Sequence, residues 1–142
     1  MKKALLFFLL LAVFVSCKKD DDTDETNSPY EEFVYKGTTH QNQDITIKVQ
    51  GNLITGIKTK FEFNLPLGTN IISIDLYDSD GIASFINNTF TYTFPEPSDN
   101  ESIKQGSKIT GTLETIRING NYNITLKDNI FSIQGDYETK LY

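Results

Sequence analysis

INGNYNITLKDNIFSIQGDYETKL, residues 118–141, carries the strongest structural signal in the chain. Apolar and aromatic residues fall at every second position, as in a strand with one buried and one wet face. Asp128-Asn129 is a good pair for a two-residue type I′ turn. A turn there sets Leu126 opposite Phe131, Ile124 opposite Ile133, Tyr122 opposite Gly135 and Gly120 opposite Tyr137. Each tyrosine then covers a glycine on the neighbouring strand, where a ring fills the space left by the missing side chain.

Working outward, the tripeptide Ile-x-Gly recurs at Ile54–Gly56, Ile109–Gly111, Ile118–Gly120 and Ile133–Gly135. Asn119-Gly120 could itself make a hairpin turn, but that would set Arg117 opposite Tyr122. A loop over residues 114–117 instead pairs Leu113 with Ile118, Gly111 with Gly120 and Ile109 with Tyr122. This arrangement keeps like with like, so Gly120 is read as lying within a strand. The C-terminal third is thus a three-stranded meander with an apolar inner face.

The same alternation runs through the rest of residues 30–142, rich in β-branched and aromatic residues. Strands are expected at 32–36, 44–50, 53–63, 71–77, 82–86, 89–94, 108–113, 118–127 and 130–141. TFTYTF, residues 89–94, is the cleanest, with three aromatics on one face and three threonines on the other. Gln50-Gly51-Asn52 reads as a three-residue hairpin loop pairing Val49 with Leu53 and Ile45 with Ile57. Residues 64–70 and the polar loop 95–106 take no assignment. The fold class is all-β: an antiparallel β-sandwich of about nine short strands, with a flattened β-barrel as the alternative.

The N-terminus is of another kind. Met1-Lys2-Lys3 precedes an unbroken apolar run from Ala4 to Val15, too short to span a bilayer but of signal-peptide length. Ser16 and the chain's single cysteine, Cys17, follow, and then Lys18-Lys19-Asp20-Asp21-Asp22. This junction resembles a bacterial lipoprotein signal, with Phe14 where leucine is usual. The resemblance implies that residues 1–16 are cleaved and that Cys17 is acylated. Two or three acyl chains, at about 0.8 kcal/mol per buried CH₂, make a stable anchor. Lys19, Asp20 and Asp21 resemble the surface-export signal of Bacteroidota lipoproteins, which implies a protein of the outer membrane facing the exterior. Residues 18–29 lack any apolar period, so 17–29 reads as the lipidated cysteine and a disordered acidic tether, whose twelve residues reach roughly 40 Å when extended.

Gly37-Thr-Thr-His-Gln-Asn-Gln-Asp44, the alternating strand after it and the Gly51-Asn52 turn resemble the opening of a small secreted β-domain found in many bacteria. Ile86-Asn-Asn-Thr-Phe90 and Asn119-Gly-Asn-Tyr122 fit the same outline. That group has no assigned activity, so the resemblance implies a fold and no site residue.

Charge and residue types bound the chemistry. Removing Lys2 and Lys3 leaves 11 basic against 19 acidic residues, a net charge of −8. A nucleic-acid partner, which needs a basic footprint, is not expected. His40 is the sole histidine, and with no cysteine beyond Cys17 a Ser-His, Cys-His or zinc site lacks its parts. No cofactor is expected, nor is enzymatic activity. Asp78-Ser-Asp80-Gly81 reads as a β-turn, with a calcium loop as the alternative in which Asp78 and Asp80 are ligands. Glu62, Asp75, Glu114, Asp136 and Glu138 read as solvating acids. Most of the rings of Tyr35, Tyr92, Tyr122, Tyr137 and the phenylalanines fall in phase with core residues, with a sugar-stacking surface as the alternative. The expected partners are the membrane, through the N-terminal lipid, and a surface protein or a glycan. The loop 95–106 is the first candidate contact surface.

Overall fold

The computed structural model describes residues 30–95, 102–128 and 131–142. Among these lie nine strands: β1 (Glu32–Thr39), β2 (Asp44–Gln50), β3 (Leu53–Leu65), β4 (Gly68–Tyr77), β5 (Ala83–Ser84), β6 (Thr89–Thr93), β7 (Lys108–Glu114), β8 (Arg117–Thr125) and β9 (Ser132–Leu141). All pairings are antiparallel, and the described residues contain no helix. The strands hydrogen-bond in the order β4-β3-β2-β1-β9-β8-β7-β6, so the first and last strands meet in the middle of one sheet.

That sheet curls into a half-barrel. Phe61 on β3 and Tyr122 on β8 have ring centroids 4.6 Å apart although β2, β1 and β9 lie between their strands. β5 helps hold the curl: it pairs with β3 at Leu53 and Ile54, then passes through an Ile86–Thr89 bridge into β6 at the sheet's other margin. The turn in that bridge is Asn87-Asn88, with φ of 51° and 60°. A type I′ turn requires both central residues in this region, which asparagine tolerates.

The enclosed face carries the core, including Ile45, Ile47, Ile54, Ile57, Phe61, Phe63, Phe90, Phe94, Ile109, Ile118 and Ile124. Each such side chain contributes roughly 1.5–3 kcal/mol by burial. The meander has the register expected from its sequence, Ile124 with Ile133, Tyr122 with Gly135 and Gly120 with Tyr137. Leu113 pairs with Ile118 and Ile109 with Tyr122. The connection between β7 and β8 is tighter than the expected loop, because Glu114 already pairs with Arg117 and only Thr115-Ile116 remain as the turn.

The β2–β3 hairpin corrects the sequence reading. Gln50 pairs with Leu53, Val49 with Ile54 and Ile45 with Thr59, in place of Val49 with Leu53 and Ile45 with Ile57. There are two causes. The turn has two residues, Gly51-Asn52, with Gly51 at φ 60° in the first position, where a type II′ turn places glycine. A bulge then leaves Thr55 unopposed between Val49–Ile54 and Lys48–Gly56. The extra residue lets Ile54 and Ile57, three apart, both reach the core.

Residues 64–70, for which the sequence pattern gives no element, close the longest hairpin. β3 and β4 pair as far as Leu65–Gly68 around a Pro66-Leu67 turn. β3 outruns the shorter β2, and a side chain fills the gap: Gln41 donates through Nε2 to the Glu62 carbonyl (2.8 Å) and accepts from the Glu62 N–H (3.0 Å). A single glutamine amide thus stands in for a missing strand neighbour.

Candidate functional site

Everything irregular about β3 gathers at one end of the sheet. The Gly51-Asn52 turn, the Thr55 bulge, the end of β4 and the residues before β1 surround an open groove of ≈ 1070 Å³. Two tyrosines line it and remain outside the core, Tyr30 at 63% and Tyr77 at 65% exposure. Tyr77 follows Leu76, the last inward residue of β4, and therefore points out. Tyr30 rests its ring on Gly51, where a Cβ would lie 3.5 Å from the ring, and its carbonyl accepts from Gln50 Nε2 at 2.9 Å.

Charge in the groove is acidic and partly tied up. Lys48 Nζ lies 2.9 Å from Glu32 Oε1 and 5.5 Å from the Tyr77 ring centroid. The hydrogen bond to Glu32 raises the Lys48 ammonium above its ordinary value, against a smaller lowering by burial. Asp80 also lines the groove, held by the turn that precedes β5.

The floor holds an unusual hydroxyl. Thr55 is 2% exposed, and its Oγ1 has no hydrogen-bond partner among the described residues. Two other buried threonines are satisfied: Thr59 donates to the Asp44 carbonyl at 3.0 Å and Thr139 to the Ile118 carbonyl at 2.9 Å. A buried hydroxyl without a partner costs about 1–3 kcal/mol.

The residues singled out from sequence fall elsewhere or take plainer roles. Cys17, Lys19, Asp20 and Asp21 lie outside the described residues, as do the proposed cleavage point and tether. Asp78 and Asp80 form a β-turn: Asp78 Oδ1 accepts from the Asp80 N–H (2.9 Å) and its carbonyl from the Gly81 N–H (3.0 Å). Among the described residues no three His, Cys, Asp or Glu side chains are grouped to hold a metal ion. Asp75 pairs with Lys58, Glu138 with Arg117, and Asp136 faces solvent. His40 is exposed, but its Nδ1 is hydrogen-bonded to Tyr122 Oη at 2.9 Å. Burial pushes the Tyr122 phenol up to about 12, opposed by a hydrogen bond to Thr39 and assisted by the Asp136 carboxylate.

Tyr35, Tyr92, Tyr122 and Tyr137 are in the core, as their phase indicated, so a stacking surface built from them is ruled out. The exposed tyrosines of the groove are others, which the sequence reading passed over. For Tyr77 a signal existed, since it falls out of phase with Ile72, Ile74 and Leu76. Of the loop 95–106, residues 96–101 lie outside the described residues. In its second half Ile103 is fully buried and bridged to Leu126, while Ser102, Lys104, Gln105 and Gly106 are exposed.

Comparison of the chain with known protein families, with characterised proteins and with solved structures finds no match.

Proposed function

We propose that this chain is an outer-membrane lipoprotein, anchored through lipid on Cys17 and facing the exterior, whose β-domain is a non-catalytic binding module. The observation that carries the binding role is the Tyr30–Tyr77 groove, a concavity of ligand-pocket size lined by exposed rings and a few polar groups. A binding role suits it better than catalysis, because Glu32 is held by Lys48 rather than poised against a second acid.

The anchoring role rests on the apolar run that ends at Cys17 and on the acidic stretch after it. Metabolic labelling with an alkynyl fatty acid, combined with protease shaving of whole cells, tests it. Wild type is expected to take the label and to be cleaved by external protease. Cys17→Ser is expected to lose the label and leave the membrane fraction, since one thiol carries the whole anchor. A Cys17→Ser protein held as firmly as wild type would overturn the anchor.

A further inference from the structure

We infer that the Tyr30–Tyr77 groove binds a neutral oligosaccharide; this names the ligand class of the binding module proposed above and rests on that reading. The chemistry of the lining selects the ligand class. Its ionisable side chains other than tyrosine are Glu32 and Asp80, both acidic, on a chain of net charge −6 before any processing. An anionic ligand would meet Asp80 uncompensated, since Lys48, the cation beside the wall, is already paired with Glu32.

A cationic ligand finds its seat taken. Acid plus aromatic ring is the arrangement that attracts an ammonium group. Here Lys48 already supplies that ammonium, 2.9 Å from Glu32 and 5.5 Å from the Tyr77 centroid. A wholly apolar ligand fares no better, since it would strip water from Gln50, Asn52 and Asp80 without replacing the hydrogen bonds. A pyranose meets all three conditions. It is uncharged, offers an apolar C–H face to a tyrosine ring, and carries hydroxyls that both donate and accept around its rim.

Thr55, on the bulge, is almost fully buried where it lines the groove, and its hydroxyl, closed to solvent, lacks the partner that its counterparts at Thr59 and Thr139 possess. The bulge that brings Thr55 there is of the kind that re-aims a side chain beside a binding site. The groove volume, ≈ 1070 Å³, is at the top of the usual range for ligand pockets (about 300–1,000 Å³), so it takes more than one sugar ring.

The test uses the full mature lipidated protein in a detergent with no sugar headgroup. Cellohexaose, maltohexaose and mannohexaose are titrated by calorimetry, with hexagalacturonate as the anionic counterpart. The chain has no tryptophan, so quenching of tyrosine emission gives a second readout. At least one neutral hexasaccharide is expected to bind with Kd below about 1 mM. Tyr30→Ala and Tyr77→Ala are each expected to weaken it at least tenfold with no change in melting temperature, both side chains being exposed. Absence of heat from all three neutral probes at about 10 mM overturns the inference. So does binding that survives the double variant, or hexagalacturonate binding as tightly as the neutral sugars. The anchor is judged separately: a Cys17→Ser protein that stays in the envelope defeats the lipid reading and leaves the sugar titration standing, and the converse holds equally.

Discussion

In the β7–β9 meander, tyrosine is a packing element. Tyr122 lies opposite Gly135 and Tyr137 opposite Gly120, each ring on the inner face and each almost fully buried. At the β2–β4 end of the same sheet, Tyr77 stands out of phase with the core and Tyr30 leans on a turn glycine, both open to solvent. One residue type thus serves two ends, and strand phase decides which. Where alternation is unbroken, the ring and the glycine complete each other and the region is scaffold. At the other end the two rings fall outside the core, Tyr77 on the outward phase of β4 and Tyr30 ahead of β1, while the bulge turns Ile54, Thr55 and Ile57 all inward.

The most forceful way to break this contrast is to add one methyl group at each end. At Gly120 a Cβ runs into the Thr110 carbonyl and lies 2.6 Å from Tyr137 Cζ. Neither can retreat, since Tyr137 Oη also donates to that carbonyl at 2.8 Å. Gly120→Ala is expected to destabilise by about 3 kcal/mol, as overpacking at a rigid site does. Gly51→Ala, with its Cβ 3.5 Å from the Tyr30 ring and a strained φ of 60°, is expected to cost only about 1 kcal/mol. Urea unfolding with unchanged m-values measures both. Equal losses would mean that the glycine–tyrosine pairs of the meander have no special packing role.

A second distinction is chemical. Burial raises the phenols of Tyr137 and Tyr122, the latter to about 12, and raises Tyr35 as well. The neutral phenol is the form that folding favours. Below about pH 10 both folded and unfolded chains hold that proton, and the contribution is fully present. Above pH 10 the unfolded chain gives it up first, so stability falls with rising pH until the folded pKa is reached. For Tyr137, whose phenol burial raises the most of the three, the expected loss above about pH 10 is up to about 1.4 kcal/mol per pH unit. Lysine deprotonation acts in the same window, so the decisive quantity is the difference between wild type and Tyr137→Phe. The variant is expected to show a shallower decline, read from urea midpoints across that range. A parallel decline would remove the Tyr137 phenol as a cause.

The same contrast explains what could be read from the sequence. Register in the meander was legible because Gly120, Gly135, Tyr122 and Tyr137 fit one another in a single alignment around Asp128-Asn129. In the β2–β3 hairpin a count from the turn fails, since the Thr55 bulge shifts every later pair by a further residue. The trace it leaves is slight: Ile54 and Ile57 cannot both face inward along a strand of strict period two. Ile103 left none, being a lone apolar residue among polar neighbours whose burial depends on a long-range bridge to Leu126. The groove was illegible for a related reason. Its parts come from the chain before β1, the β2–β3 turn, β3 and the end of β4, and only the curl of the sheet assembles them.

The smallest expected effect is the one that bears most directly on the bulge. Replacing threonine by valine exchanges a hydroxyl for a methyl at nearly constant shape and β-propensity. At Thr59 the hydroxyl donates to the Asp44 carbonyl, so Thr59→Val is expected to cost about 1 kcal/mol. At Thr55 no bond is lost and a buried polar atom is removed, so the sign should reverse, with Thr55→Val gaining about 0.5–1 kcal/mol in urea unfolding. Natural chains tolerate such a deficit where function requires it. If Thr55→Val instead loses as much as Thr59→Val, the Thr55 hydroxyl is already satisfied in the folded protein. The division between scaffold end and binding end would then rest on the exposed tyrosines and the polar rim of the groove alone.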